Sequence, residues 1–198
     1  MKPQSSPMIK SQYFALVAVG SNVTSYDSTP RQTLEKLVNR MGDESLKLIK
    51  VSRFFATPAF PKGNGPDFVN AALSVQTTMT PIQLMKYLHR IETEFGRERK
   101  ERWAARVLDL DLITYDDLVL PDHETQKRWM DLDLDMQQTD TPVELILPHP
   151  RVQDRSFVLQ PLHDIAPDWT HPVLGQTVSQ MLAARPSHER AEIKPLEA

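Results

Sequence analysis

Four strand-like runs and two capped helical stretches follow one another in the order β-α-β-β-α-β, and few folds accept that order. Tyr13–Val19 (YFALVAV) is a short apolar run ending at Gly20, and it reads as a buried strand. Thr29 precedes Pro30, an N-cap followed by proline at the first helical position. Leu34, Leu37, Val38 and Met41 then recur at helical spacing, with Gly42 to stop the helix. Leu46–Phe55 and Phe68–Gln76 read as two more strands, separated by the Pro/Gly-rich segment TPAFPKGNGPD. Thr80-Pro81-Ile82-Gln83 has the form of a capping box with proline in the first turn. Leu84, Leu88, Ile91 and Phe95 make one apolar stripe behind it, ended by Gly96. Val107–Thr114 is the fourth strand. The expectation is an α+β fold: a ferredoxin-like split β-α-β-β-α-β sheet with helices packed on it, plus a C-terminal extension.

A chain of 198 residues suffices for one domain with a proper core. Residues 1–11 read as a flexible N-terminal tail, 12–184 as a single domain, and 185–198 as a flexible C-terminal tail. Within the domain, 115–145 is a polar, acidic insert, and beyond about 146 the chain reads as loops with a short helix near Thr177–Ala184.

The fourth strand carries the chemistry. Asp109 and Asp111 alternate with Leu108, Leu110 and Leu112, and a period of two sends both carboxylates to one face. Immediately before them, Arg97, Arg99, Lys100, Arg102 and Arg106 supply five cations in ten residues. Paired hard oxygen ligands suit Mg²⁺, and neighbouring arginines suit the phosphates such a metal carries. The same residue types also suit a solvated edge strand and a solvated cationic loop, so the join of the two segments carries the functional reading. Asp131-Leu132-Asp133-Leu134-Asp135 has similar alternation without preceding arginines, and reads as a solvated hairpin or disordered insert. The net charge of −3 makes the cationic segment local and argues against bulk nucleic-acid binding. With no cysteine, disulfides, thiol catalysis and thiolate metal sites are excluded. Neither a transmembrane run nor a signal peptide is evident, so a cytoplasmic protein is expected.

Arg102–Ile113 (RWAARVLDLDLI) resembles the signature of the 6-hydroxymethyl-7,8-dihydropterin pyrophosphokinase family. Further family features occur in order: Gly20-Ser21-Asn22, Thr57-Pro58, Asp67–Ala72 (DFVNAA), Pro148–Arg151 (PHPR) and Arg155–Leu162 (RSFVLQPL). The resemblance spans about residue 13 to about 172. It implies Mg-dependent transfer of pyrophosphate from ATP to the pterin hydroxymethyl group, giving AMP, in folate biosynthesis. On that resemblance Asp109 and Asp111 hold two Mg²⁺ ions, and Arg97 and Arg106 neutralise phosphate. His89, Glu92, Arg99, Trp103, Arg106, Leu112, His149 and Arg155 correspond to ATP contacts. Thr57, Pro58, Phe68, Asn70, Trp103, Asp109 and Phe157 correspond to pterin contacts. The ring would stack between Phe68 and Phe157, and the Asn70 amide, both donor and acceptor, would read its polar edge. A monomer whose partners are these two small molecules is implied.

The chain departs from the family pattern at several positions. Ala104-Ala105 replaces a usual Gly-Pro in a slightly shortened loop, Phe68 a tyrosine and His89 a glutamine. Glu144 and Ile146 replace basic and hydroxyl residues, and the 115–145 insert is longer than usual. Other readings are a non-catalytic pterin- or nucleotide-binding paralogue, a nucleotidyltransferase and an RNA-binding module. The joint retention of Arg97, Arg106, Asp109, Asp111, Asn70 and His149 argues against the first. The long separation of Gly20-Ser21 from Asp109 argues against the second, and the lack of an aromatic strand motif and basic sheet face against the third.

Overall fold

The computed structural model describes residues 12–24, 28–59, 65–96, 107–133, 136 and 140–197. Strand β1 (Tyr13–Ser21) leads to helix α1 (Pro30–Arg40), strands β2 (Leu46–Val51), β3 (Phe55–Thr57) and β4 (Phe68–Thr77), helix α2 (Pro81–Glu94) and strand β5 (Asp109–Tyr115). Helices α3 (His123–Met130), α4 (Ser156–Ile165), α5 (Val178–Ala184) and α6 (Ser187–Glu192) follow, and strand β6 (Lys194–Pro195) ends the sequence of elements. The sheet runs β5-β1-β4-β3-β6, with β2 also paired to β4, and every pairing is antiparallel. The α+β expectation and all three sequence-read helices hold. No helix among the described residues is long and apolar enough to cross a membrane.

Local chemistry explains the helix starts. Thr29 and Thr80 each accept the backbone N–H of the glutamine three residues on, and each glutamine side chain accepts the threonine N–H in return. Two orphan donors are thereby satisfied at each helix entry, and Pro30 and Pro81 add none. Thr177 caps α5 in the same reciprocal way.

Alternation along the strands separates two cores. Val17, Val19, Leu73, Val75, Leu110 and Leu112 face α1 and α2, where Leu34, Leu37, Leu84, Leu88 and Ile91 meet them. Leu16, Ala72 and Ile113 point the other way, against Val158, Leu159 and Leu162 of α4 and Val178 and Met181 of α5. The sheet is thus covered on both faces, which is why β4 is buried through nearly its whole length.

Four expectations are corrected. The run Leu46–Phe55 is two strands, because Ser52 interrupts the ladder: its hydroxyl accepts the Ala72 N–H at 2.8 Å and donates to the Arg53 carbonyl at 2.7 Å. The insert within 115–145, read as a polar, acidic excursion with no element of its own, contains α3, whose Gln126 is fully buried. Its Leu134 and Asp135 lie outside the described residues, as do residues 1–11. The stretch 185–198, read as a flexible tail, carries α6 and β6. There β6 pairs with β3, the Leu196 N–H donates to the Phe54 carbonyl at 2.8 Å, and Ile193 is buried. Helix α4 falls where loops were expected, since Pro161 inside it is a residue that ordinarily breaks a helix.

Candidate active site

Strand register assembles the site on the α4 face of the sheet. Gly20 lies opposite Asn70 on one side and opposite Asp109 on the other, and Phe55 lies opposite Asn70. Directly opposed residues share a face, so Phe55, Asn70, Gly20 and Asp109 form one row across four strands. Ala72, Ala18 and Asp111 form the next. With strands about 4.8 Å apart, Asn70 and Asp109 stand roughly 10 Å from one another across the sheet.

Gly20 makes the row possible. A Cβ there would stand 2.6 Å from Asn70 Oδ1 and 3.6 Å from Phe68 Cδ1. Asn70 is nearly buried and donates from Nδ2 to Thr57 Oγ1 at 2.7 Å. Thr57 and Asn70, thirteen residues apart in sequence, are therefore one polar unit. Phe68 and Pro58 are half-buried beside them.

Asp109 and Asp111 are half-buried on the same face, while Leu110 and Leu112 between and beyond them are in the first core. Arg155, just before α4, brings its Nη1 to 3.6 Å from Asp111 Oδ2 and its Cζ to 5.9 Å from the centre of the Phe157 ring. Phe157 is half-buried against the second core. One guanidinium thus links the acidic strand to an aromatic face.

His149 joins the site through two backbone bonds. Its N–H donates to the Ile113 carbonyl of β5 at 2.8 Å, and its ring Nδ1 accepts the Arg151 N–H at 3.1 Å. Because Nδ1 is an acceptor, the neutral ring carries its proton on Nε2. Part of the residue reaches the surface, yet the imidazole is packed closely enough that desolvation, then the positive field of Arg155, lowers its pKa to about 3.

Glu92, expected as an ATP contact, is held within the fold. It is 1% exposed, and its Oε1 accepts the Leu110 N–H at 2.8 Å, so it fixes the strand between the two aspartates. The Leu112 side chain is in the opposite core and offers the site only its backbone. His89 is half-buried on α2. Arg97, Arg99, Trp103 and Arg106 lie outside the described residues. Sequence reasoning missed Gln126, which carries no pattern on its own. It named Arg151 and Gly20 only as members of family motifs, without the part each plays here.

The donor set fits Mg²⁺. Two carboxylates on one face provide hard oxygens, and an ion that keeps several waters and phosphate oxygens needs no larger cage of protein ligands.

Comparison with known proteins bears on this arrangement. The family model for 7,8-dihydro-6-hydroxymethylpterin-pyrophosphokinase matches residues 16–167. The 2-amino-4-hydroxy-6-hydroxymethyldihydropteridine pyrophosphokinase of Synechocystis sp. is 32% identical over 85% of this chain and 74% of its own length. The protein of the same name from Haemophilus influenzae is 28% identical over 91% of this chain and 98% of its own. Among solved structures, an HPPK-DHPS chain crystallised in complex with substrates superposes with a TM-score of 0.68 at 14% identity. The alignment covers 96% of this chain and 47% of that one, so this chain spans about half the length of the solved chain it resembles.

Proposed function

Because the chain belongs to the 7,8-dihydro-6-hydroxymethylpterin-pyrophosphokinase family, we propose that it transfers pyrophosphate from ATP to 6-hydroxymethyl-7,8-dihydropterin in folate biosynthesis, releasing AMP. The observation that carries this reading is the shared row of Asn70, Gly20 and Asp109, which sets an amide suited to a pterin edge roughly 10 Å from the carboxylate pair. A pterin lying between them would have its ring by Asn70 and its hydroxymethyl group towards Asp109.

Asp109 and Asp111 would hold Mg²⁺, two ions with ATP, which supply charge neutralisation along the triphosphate and in-line orientation. The remaining work belongs to the chain's own residues. Phe68 and Phe157 would sandwich the ring, with Thr57 and Pro58 closing its edge. Thr57 holds the Asn70 amide at 2.7 Å, so the amide meets its ligand already oriented. His149 would donate from Nε2 to a phosphate oxygen, and Arg155 would leave Asp111 for the phosphates once the metal replaces it there. Glu92 acts through the Leu110 N–H as a positioning residue for both aspartates. Arg97, Arg99, Trp103 and Arg106 are assigned to phosphate and nucleotide, Trp103 also to the pterin, and His89 and the Leu112 backbone to the nucleotide. A cytoplasmic monomer completes the proposal.

The test is an assay with ATP, Mg²⁺ and 6-hydroxymethyl-7,8-dihydropterin, followed by separation of the nucleotides. AMP and the pterin diphosphate are expected in equal amounts. ADP as the product, or ATP binding without turnover, would refute the reading. Asp109→Ala and Asp111→Ala should each lower kcat by at least about a thousandfold, the scale of losing preorganised charge stabilisation.

A further inference from the structure

We propose that helix α3 of the insert sets the orientation of the His149 ring, with Arg151 and Gln126 as positioning residues. The proposal rests on the reading of His149 as a contact for the ATP phosphates. Gln126 sits in an insert that is otherwise polar, yet it is fully buried, and its Nε2 donates at 2.7 Å to the carbonyl of Pro148, the residue before His149. Arg151, two residues after His149, is 8% exposed. Its guanidinium donates to the Met130 carbonyl at 3.3 Å and to the Leu132 carbonyl at 3.4 and 3.5 Å, at the C-terminal end of α3. A cation suits that end, where carbonyls are left unpaired and the helix dipole is negative.

The two contacts grip His149 from both sides in sequence. Arg151 is also the residue whose backbone N–H donates to His149 Nδ1, so whatever holds Arg151 holds that donor in line. An acceptor Nδ1 leaves the proton on Nε2, which selects one tautomer and aims it. Without the anchor, the turn from His149 to Val152 keeps the His149 N–H bond to Ile113 at 2.8 Å, the Val152 N–H bond to the His149 carbonyl at 3.0 Å and the Gln153 side-chain bond to the Pro150 carbonyl at 2.9 Å, none of which orients the Arg151 N–H. The ring would then exchange tautomers as the Arg151 donor drifts. The insert thereby gains a role in phosphate recognition without itself touching the nucleotide.

The test is nitrogen NMR of the full-length protein with ¹⁵N-labelled histidine at pH 7.5, the His149 signals being identified by their loss in His149→Asn. The intact protein should show His149 with Nδ1 unprotonated and Nε2 protonated. In Arg151→Met and in Gln126→Leu both tautomers should be populated, and KM for ATP should rise roughly tenfold with a smaller change in kcat, the scale of one misplaced charge-assisted hydrogen bond. Arg151→Lys keeps the cation without the fork and should fall between. If circular dichroism shows that Arg151→Met does not fold, Gln126→Leu and Arg151→Lys decide. A single Nε2–H tautomer persisting in the folded variants overturns the proposal. Mixed tautomers with an unchanged KM for ATP uphold the positioning and overturn the assignment of His149 to ATP.

Discussion

At Gly20 a single carbon decides whether Asn70 keeps its orientation. The residue lies in regular strand, so its glycine is needed for close approach and not for an unusual backbone angle. In Gly20→Ala the added Cβ would meet Asn70 Oδ1 at 2.6 Å, and Asn70 cannot swing away freely because Thr57 holds its other end. Relief requires the amide to rotate off its bond to Thr57 or the strands to part. On the proposed function the first outcome costs pterin recognition and leaves the nucleotide side intact. KM for the pterin should rise roughly tenfold and KM for ATP stay within about twofold, the scale of one lost polar contact. Equal increases in both would point to a general distortion of the sheet and count against the specific role of Asn70.

At the level of elements, the sequence was most legible where a local rule decides the outcome. Thr-Pro starts, the stripe through Leu84, Leu88 and Ile91, and the alternation at Asp109–Leu112 each depend on neighbours within a few residues, and each is present. The site row was only partly legible: the family motif marked Asn70 and Asp109, but their alignment through Gly20 depends on register between strands far apart in the chain. The least legible elements depend on long-range partners. Helix α6 shows no buried residue, and β6 is two residues long and begins with an exposed lysine. Both gain their places from contacts that composition does not encode. The Ser156 hydroxyl donates to Glu189 at 2.6 Å, Arg185 pairs with the same carboxylate at 2.9 Å, and β6 lies along β3. The structural assignment is checked with Ile193→Ala, since Ile193 is 8% exposed at the junction of α6 and β6. A docked segment predicts a loss of about 2 kcal/mol in urea unfolding, the lower end for truncating a buried isoleucine. A change below about 0.5 kcal/mol, the usual size for a surface position, would return the segment to the status of a tail.

For the whole molecule, the buried histidines dictate how stability responds to acid. His171 has no exposed surface, and its Nδ1 accepts the N–H groups of Val173 and Leu174, both at 3.2 Å. Those donors favour a neutral imidazole, and desolvation lowers its pKa to about 4. His149 is lowered further, to about 3. A base whose folded pKa lies below its unfolded value contributes full stability above the unfolded value, near 6.5. As pH falls below that point the unfolded chain takes up protons that the folded chain refuses, so stability declines until the folded group titrates. For His171 that window runs from about pH 6.5 to about pH 4, and by pH 4.5 the loss is between about 2 and 3 kcal/mol. Glu189 is desolvated, but its bonds to Ser156 and Arg185 outweigh that and hold its pKa below the ordinary value, so its contribution is lost only in stronger acid. The two kinds of group are therefore separable by pH. Urea unfolding between pH 7.5 and 4.5 should show a decline in the intact protein that is shallower in His171→Gln, whose amide oxygen can accept the same backbone donors without titrating. The comparison is of slopes, so a lower baseline in the variant does not affect it. Parallel curves would mean that His171 takes up its proton without unfolding the loop around it.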